Sequence, residues 1–198
     1  MRLFVLARHG ESVLNVERRV NGDPTRVVPL TDRGREEARR LGEQVAHLPL
    51  EACVHTRFGR TRETAEIALA ERVEAALVEE PLLDDIDIGE LDGEPLEVYR
   101  RWKHGNPRHV PFPGGESLDD AARRYAAAYR RLLEQPWQAA LVVCHEIPVR
   151  YALNGASGSE SLDGPAHEIS NAVPYLLDEP ALERAVAGIE RLSGKIRA

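Results

Sequence analysis

The chain has 198 residues, 42% of them hydrophobic and 30% charged, a balance that suits one soluble globular unit with a substantial core. Its net charge of −7 argues against nucleic acid as a partner, because backbone binding needs a basic face. No apolar run is long enough to span a bilayer, the N-terminus shows none of the regions of a signal peptide, and two cysteines are too few for a disulfide framework; a cytoplasmic protein with no membrane partner is expected.

In chain order the patterns predict a strand over 3–7, a loop, and a helix over 32–47. Thr31 is a candidate N-cap for that helix, in which Ala38, Leu41 and Val45 recur at helical spacing. A strand (52–55), a helix (60–72), a strand (76–79), an irregular stretch and a helix (95–104) follow. Pro111, Pro113, Gly114 and Gly115 then mark a loop. Ser117 and Asp120 form a capping-box pattern ahead of a long helix over 118–134. The remainder reads as a strand (139–144), a helix (147–154), a loop, a strand (173–177) and a helix (181–192). Strands alternating with helices imply an α/β fold, a single-domain three-layer α/β/α sandwich with a mainly parallel sheet, spanning residues 1–198. Cys53 and Cys144 each fall within a short apolar strand, as buried free thiols do.

The first strand runs straight into Arg8-His9-Gly10-Glu11. In open α/β sheets the carboxyl ends of the strands are where ligands bind. Arginine there offers a planar fork of donors matched to phosphate oxygens. A neutral imidazole beside it can act as nucleophile or base near pH 7. Three further segments repeat that geometry. The strand ending at Val54-His55-Thr56 leads to Arg57, Arg60 and Arg62 around a helix start, where the helix dipole adds to an arginine's own charge. The strand ending at Cys144 delivers His145-Glu146, and Asp84, Asp85 and Asp87 follow another strand.

These residues resemble the histidine phosphatase superfamily, in the branch that includes cofactor-dependent phosphoglycerate mutases and many small phosphatases. Arg8-His9-Gly10-Glu11 with Asn15 is the strongest match. Asn21-Gly22, Pro29-Leu30-Thr31 with Gly34, Arg60 to Ala65, Pro113 to Ser117, Val142 to His145 and Ser170-Asn171-Ala172 are similar to later family segments, in order. The resemblance implies a phosphoglycerate mutase-like fold, with His9 as the nucleophile that becomes a phosphohistidine. It implies Arg8, Asn15, Asn21, Gly22, Arg60 and His145 as the phosphate-binding set, Arg8, Arg60 and His145 being catalytic with it. The family register favours Arg60 as the clamp, with Arg57 and Arg62 outward or substrate-facing. Asp85 stands where this branch commonly has a glutamate acid, one methylene longer. Glu146 stands where the branch commonly has glycine, and another branch places its acid there, so Glu146 is an alternative acid. His55-Thr56 replaces the usual small polar pair, and Glu37 and Glu63 stand where glutamine is frequent. No cofactor and no metal are implied. A small phosphorylated substrate is the expected partner, and the chain is expected to be a monomer or homodimer. A phosphomonoester hydrolase is favoured over a mutase, whose relatives carry longer insertions. A member that binds phosphorylated ligands without turnover stays open. Arg18, Arg19, Arg26, His104, Arg108 and His109 are candidates for reading a second anionic group, or are exposed loop charges.

Overall fold

The computed structural model describes residues 2–70, 72 and 74–194. Five strands form one sheet: β1 (Leu3–Arg8), β2 (Ala52–His55), β3 (Ala76–Glu79), β4 (Ala139–Cys144) and β5 (Tyr175–Asp178), in the order β3-β2-β4-β1-β5. The first four run parallel and β5 is antiparallel to β1 at the edge. The mainly parallel sheet is therefore as expected from the sequence.

Side chains alternate across a strand, and here the alternation divides the core in two. Phe4, Leu6, Ala140, Val142 and Cys144 meet the helices α5 (Leu118–Glu134), α6 (Glu146–Ala156) and α7 (Glu179–Ser193) on one face. Val5, Ala7, Cys53, Leu141 and Val143 meet α2 (Asp32–Gln44) and α3 (Gly59–Ala68) on the other. Strands buried on both faces explain why β1 and β4 read as unbroken apolar runs. Cys53 and Cys144 are buried, unpaired thiols.

The caps hold at the level of single hydrogen bonds. Thr31 accepts from the Gly34 amide, and Ser117 exchanges bonds with Asp120. Several boundaries differ from expectation, β5 for one beginning at Tyr175 rather than at 173. α2 stops at Gln44 rather than 47, where Val45 leaves helical geometry. α3 stops at Ala68; of the stretch expected to continue it to 72, residue 71 lies outside the described residues. A one-turn helix, α1 (Val13–Val16), occupies part of the first loop, held by a capping box between Ser12 and Asn15. The helix α4 (Leu96–Gly105) lies where the sequence predicts it.

α6 and α7 approach so closely that a Cβ added to Gly188 would stand 2.6 Å from the Gly155 Cα. Gly188→Ala should gain about 1 kcal/mol of helix propensity yet lose about 1–3 kcal/mol to overpacking. Thermal unfolding should therefore show a lowered midpoint. A raised midpoint would mean that the two helices separate without cost.

Candidate active site

Because β1, β2, β3 and β4 are parallel, their carboxyl ends share one edge of the sheet, and the chain leaving each end brings a functional side chain there. β1 delivers Arg8 and His9, β2 leads through Thr56 to Arg60 on α3, β4 delivers His145, and the loop after β3 carries Asp84 and Asp85. Position 10 must be glycine because the backbone passes against Gly34: a Cβ there would lie 2.3 Å from the Gly34 carbonyl oxygen. On the other side, the Ala172 amide donates to the Arg8 carbonyl at 2.8 Å and Asn171 Nδ2 donates to the His9 carbonyl at 2.8 Å. Ala172 holds a positive φ of 49° to make that approach.

Arg60 is the hub. It is only 4% exposed. Nε donates to His9 Nε2 at 3.0 Å, Nη1 to Asn21 Oδ1 at 2.6 Å, and Nη2 to the Asn21 carbonyl and to Asp85 Oδ2, both at 3.3 Å. Nη2 also lies 3.3 Å from His145 Nδ1. The Phe58 ring supports the guanidinium at 4.3 Å and packs edge-on to His145 at 4.7 Å. Burial pulls Arg60 down to about 10, against the upward pull of Asp85.

His9 is 3% exposed, and its Nδ1 lies 2.7 Å from the Gly10 carbonyl oxygen. A carbonyl only accepts, so Nδ1 carries the proton and Nε2 presents its lone pair to the site. Burial, then Arg60 and Arg8, hold His9 well below 6.5, so the ring is neutral near pH 7. His145 is held down in the same way by burial, Arg60 and His9. Asp85 moves in the opposite direction: burial raises its carboxyl despite Arg60 nearby. Two neutral imidazoles and a carboxyl whose proton affinity burial raises thus surround one cation.

Asn21 is oriented by Asp92. Asp92 Oδ1 accepts from Asn21 Nδ2 at 3.0 Å and from the Gly22 amide at 2.8 Å, which turns the Asn21 oxygen toward Arg60. Burial works to raise Asp92, but bonds from Asn21, Gly22 and Arg26 outweigh it and its carboxyl sits low. Asn15 spends its oxygen on the Ser12 amide at 3.0 Å and leaves its NH2 group for a ligand. Arg8 Nη1 donates to the Ile169 carbonyl at 3.0 Å and lies 3.1 Å from Glu146 Oε2. Glu146 Oε1 in turn accepts from Arg150 at 3.3 Å.

The cavity at this edge measures about 530 Å³ and is lined by Arg8, His9, Asn15, Asn21, Arg60, Asp85 and Glu146 among others. His145 lies directly behind Arg60, wholly buried. Gly22 does not line this cavity; it lines a second one, on the far side of the Asp85 loop, and its amide is turned to Asp92. Glycine is needed there because a Cβ would stand 2.3 Å from the Ile86 carbonyl oxygen. Arg57 is bound through its amide and Nε to Asp84, at 3.0 and 2.6 Å, and Arg62 pairs with Glu66 on the exposed face of α3. Of the candidates for a second anionic group, Arg18, Arg19 and His104 line the outer cavity. Arg26 is paired with Asp92, Arg108 is tied to Asp119, Asp163 and the Tyr151 hydroxyl, and His109 is absent from the lining. Glu63 and Glu37 hold the backbone amides of Leu30 and Glu11, so both are structural anchors. Sequence reasoning missed Arg100, Lys103, Arg150 and His167 on the cavity wall, and Asp92 behind Asn21. Only Arg150, four residues after Glu146 on a helix, carried a spacing signal.

His9 keeps its lone pair to lower pH than a free imidazole, since its folded value lies below 6.5. If His9 is the nucleophile that the resemblance implies, kcat/KM on an aryl phosphate should hold level down to pH 6.5 and fall only below it, as the ring takes up a proton. An acid limb centred above 6.5 would contradict a neutral, buried His9.

Residues 4–181 match the histidine phosphatase superfamily (branch 1). A 2,3-bisphosphoglycerate-dependent phosphoglycerate mutase 2 from Gloeobacter violaceus is 34% identical over 138 residues, covering 63% of this chain and 60% of the mutase, so the match spans about three fifths of that relative's length. The solved structure of TTHB049 from Thermus thermophilus is 31% identical, with a TM-score of 0.66 over 90% of this chain and 94% of its own. A putative alpha-ribazole-5′-P phosphatase from Escherichia coli K-12 shares the fold at 22% identity, with a TM-score of 0.77 over 90% of this chain and 92% of its own. The chain belongs to the histidine phosphatase superfamily.

Proposed function

We propose that the protein is a phosphomonoester hydrolase that works through a phosphohistidine on a small phosphorylated metabolite, without a metal. The observation that carries this reading is Arg60, whose donors reach the bare nitrogen of His9, the ring of His145 and the carboxyl of Asp85 from one buried position. A phosphoryl dianion entering that point meets Arg60, Arg8 and the free amide of Asn15, and supplies the counter-charge that a buried guanidinium otherwise lacks.

His9 Nε2 attacks phosphorus as the ester oxygen departs, and Asp85 gives that oxygen its proton. Asp85, now a carboxylate, takes a proton from water as the water oxygen attacks the phosphohistidine. Phosphate leaves, and His9 and Asp85 return to their starting forms. Positioning and charge stabilisation supply most of the acceleration in such transfers. Asp85 is preferred to Glu146 as the acid, because Asp85 touches Arg60 and His145 at the centre while Glu146 is engaged by Arg8 and Arg150 at the wall.

Arg19, Arg100 and His104 on the outer wall suit a leaving group with a further anionic substituent, while Arg18 and Lys103 beside them are ion-paired with Glu97 and Asp163. Those cations and the mutase relative favour a second reading, a phosphoglycerate mutase-type transferase. Glu146 weighs against it, because a carboxylate 3.1 Å from Arg8 repels a retained bisphosphate and assists phosphate release.

Phosphate release should be measured across phosphorylated metabolites and one aryl phosphate, in EDTA. Turnover should survive EDTA and vanish in His9→Ala; retained turnover in that variant contradicts the nucleophile. Asp85→Asn should lose about 10²–10⁴-fold on alkyl esters and far less on the aryl phosphate. Equal losses on both, or a larger effect from Glu146→Gln, would move the acid elsewhere. Phosphoglycerate interconversion that needs a 2,3-bisphosphoglycerate primer, with no phosphate released, would favour the transferase.

A further inference from the structure

Asp85 stands on a loop with a cavity on each side. The active-site cavity opens in front of it, and a second cavity of about 510 Å³, which Asp85 also lines, opens behind. An aspartate carboxyl hangs on two torsions only, so its reach is decided by the backbone that carries it. Leu83, Ile86 and Ile88 fasten this stretch to the core. Apolar contact has no direction, however, and does not set how the peptide units at residues 84 and 85 are turned.

Arg124 supplies the direction from the second turn of α5. Its Nη1 donates to the Leu82 and Asp84 carbonyls at 2.8 and 2.9 Å, and Nη2 donates to the Asp85 carbonyl at 3.3 Å. The first two carbonyls lie at the end of a short 3-10 turn (Pro81–Leu83), where a helix has no amides of its own to offer. Glu116 grips the same guanidinium, Oε1 accepting from Nη2 and Oε2 from Nε. Glu116 is in turn tied to the loop: Oε1 accepts from the Asp87 amide at 3.0 Å, and its own amide donates to the Asp87 carbonyl at 2.9 Å. Each bond runs from an N–H to a carbonyl or carboxylate oxygen, so its sense is fixed by the groups themselves. The Arg124 and Glu116 side chains are each only 20% exposed, which limits competition from water. With the loop held this way, Asp84 turns its carboxyl to Arg57 and Asp85 turns its own to Arg60.

We propose that Arg124, braced by Glu116, is the positioning residue that aims the general acid: by holding the carbonyls of Leu82, Asp84 and Asp85 it puts the Asp85 carboxyl, and not that of Asp84, against Arg60 in the active-site cavity. The proposal rests on the reading of Asp85 as the acid. Arg124 bonds to the backbone of residue 85 and not to its carboxyl, and it lines the second cavity and not the first. It therefore acts through Asp85 and touches no reacting atom. Lysine cannot take its place, because an ammonium on a flexible stem lacks the rigid fork that spans three carbonyls and a carboxylate.

The test compares the full-length wild type with Arg124→Lys, which keeps a positive charge opposite Glu116. Arg124→Gln, which keeps two N–H donors, makes the same comparison if the lysine variant fails to fold. One arm needs no turnover. By hydrogen exchange of the free protein, the amides of residues 84–87 should exchange about 10-fold faster in the variant, as expected when one charge-assisted bond is lost, while α5 and the sheet keep wild-type protection. The second arm separates aim from general damage. On alkyl phosphates kcat should fall about 10- to 100-fold with KM nearly unchanged, and on an aryl phosphate, whose leaving group needs no proton, it should fall little. Unchanged exchange at 84–87 in a folded variant overturns the proposal, and so do equal losses on alkyl and aryl esters. Faster exchange with alkyl turnover at the wild-type level overturns the catalytic role. Failure of the underlying reading looks different: Asp85→Asn without a leaving-group split, or a wild type that turns over no ester, removes Asp85 as the acid whatever Arg124→Lys does to the loop.

Discussion

The site depends on one buried cation. Arg60 has lost nearly all contact with water, and an isolated charge in that position would be prohibitive. Acceptors nonetheless crowd it: two imidazole nitrogens, an amide oxygen, a backbone carbonyl and a carboxyl group lie around the guanidinium plane. The compensation is incomplete, since burial still pulls the group down to about 10. Among the described residues, Arg60 and Arg8 face only Asp85 and Glu146 as ion-paired carboxylates, and burial raises the Asp85 carboxyl despite Arg60. On the proposed reading a phosphoryl dianion completes this charge balance, and the cost of burying Arg60 is converted into affinity for the ligand. Asp92, which never touches the cavity centre, belongs to the same arrangement because it turns the Asn21 oxygen onto Arg60.

From that cation the rest of the chemistry is a matter of which atoms hold protons. The Gly10 carbonyl fixes the His9 proton on Nδ1 and exposes Nε2, so the proposed nucleophile is prepared by backbone geometry rather than by a separate base. The two candidate acids differ by environment, not by type. Asp85 is drawn toward its protonated form by burial at the centre, whereas Glu146 is held by two arginines at the wall. One carboxyl is thereby suited to give a proton and the other to compete with phosphate for Arg8.

Much of this was legible before any coordinates. β1 and β4 are buried on both faces, which forces unbroken apolar runs, and parallel strands place every carboxyl end on one edge. Hence Arg8, His9 and His145 could be gathered with an arginine cluster and an aspartate cluster from four distant segments, and the family resemblance picked out Arg60 and Asp85. What stayed hidden has a common cause. Gly22 sits in a segment that resembles the family's, yet whether it faces ligand or the Ile86 carbonyl is a tertiary fact. Asp92 lies 71 residues from Asn21, and no local period connects them. Thr56 reads as an ordinary polar residue ahead of a helix, and only the fold shows its hydroxyl 3.0 Å from the buried His145 ring. The short helix α1 was missed because four residues are too few to show a period, although its capping box was present.

The central claim is that phosphate passes through His9. Full-length protein turning over a ³²P-labelled ester should be quenched in denaturant, digested and mapped. The account predicts label on the peptide containing His9, attached through Nε2, acid-labile and stable in base. Label on His145 or on a carboxylate, or steady turnover with no labelled peptide at any quench time, would contradict it.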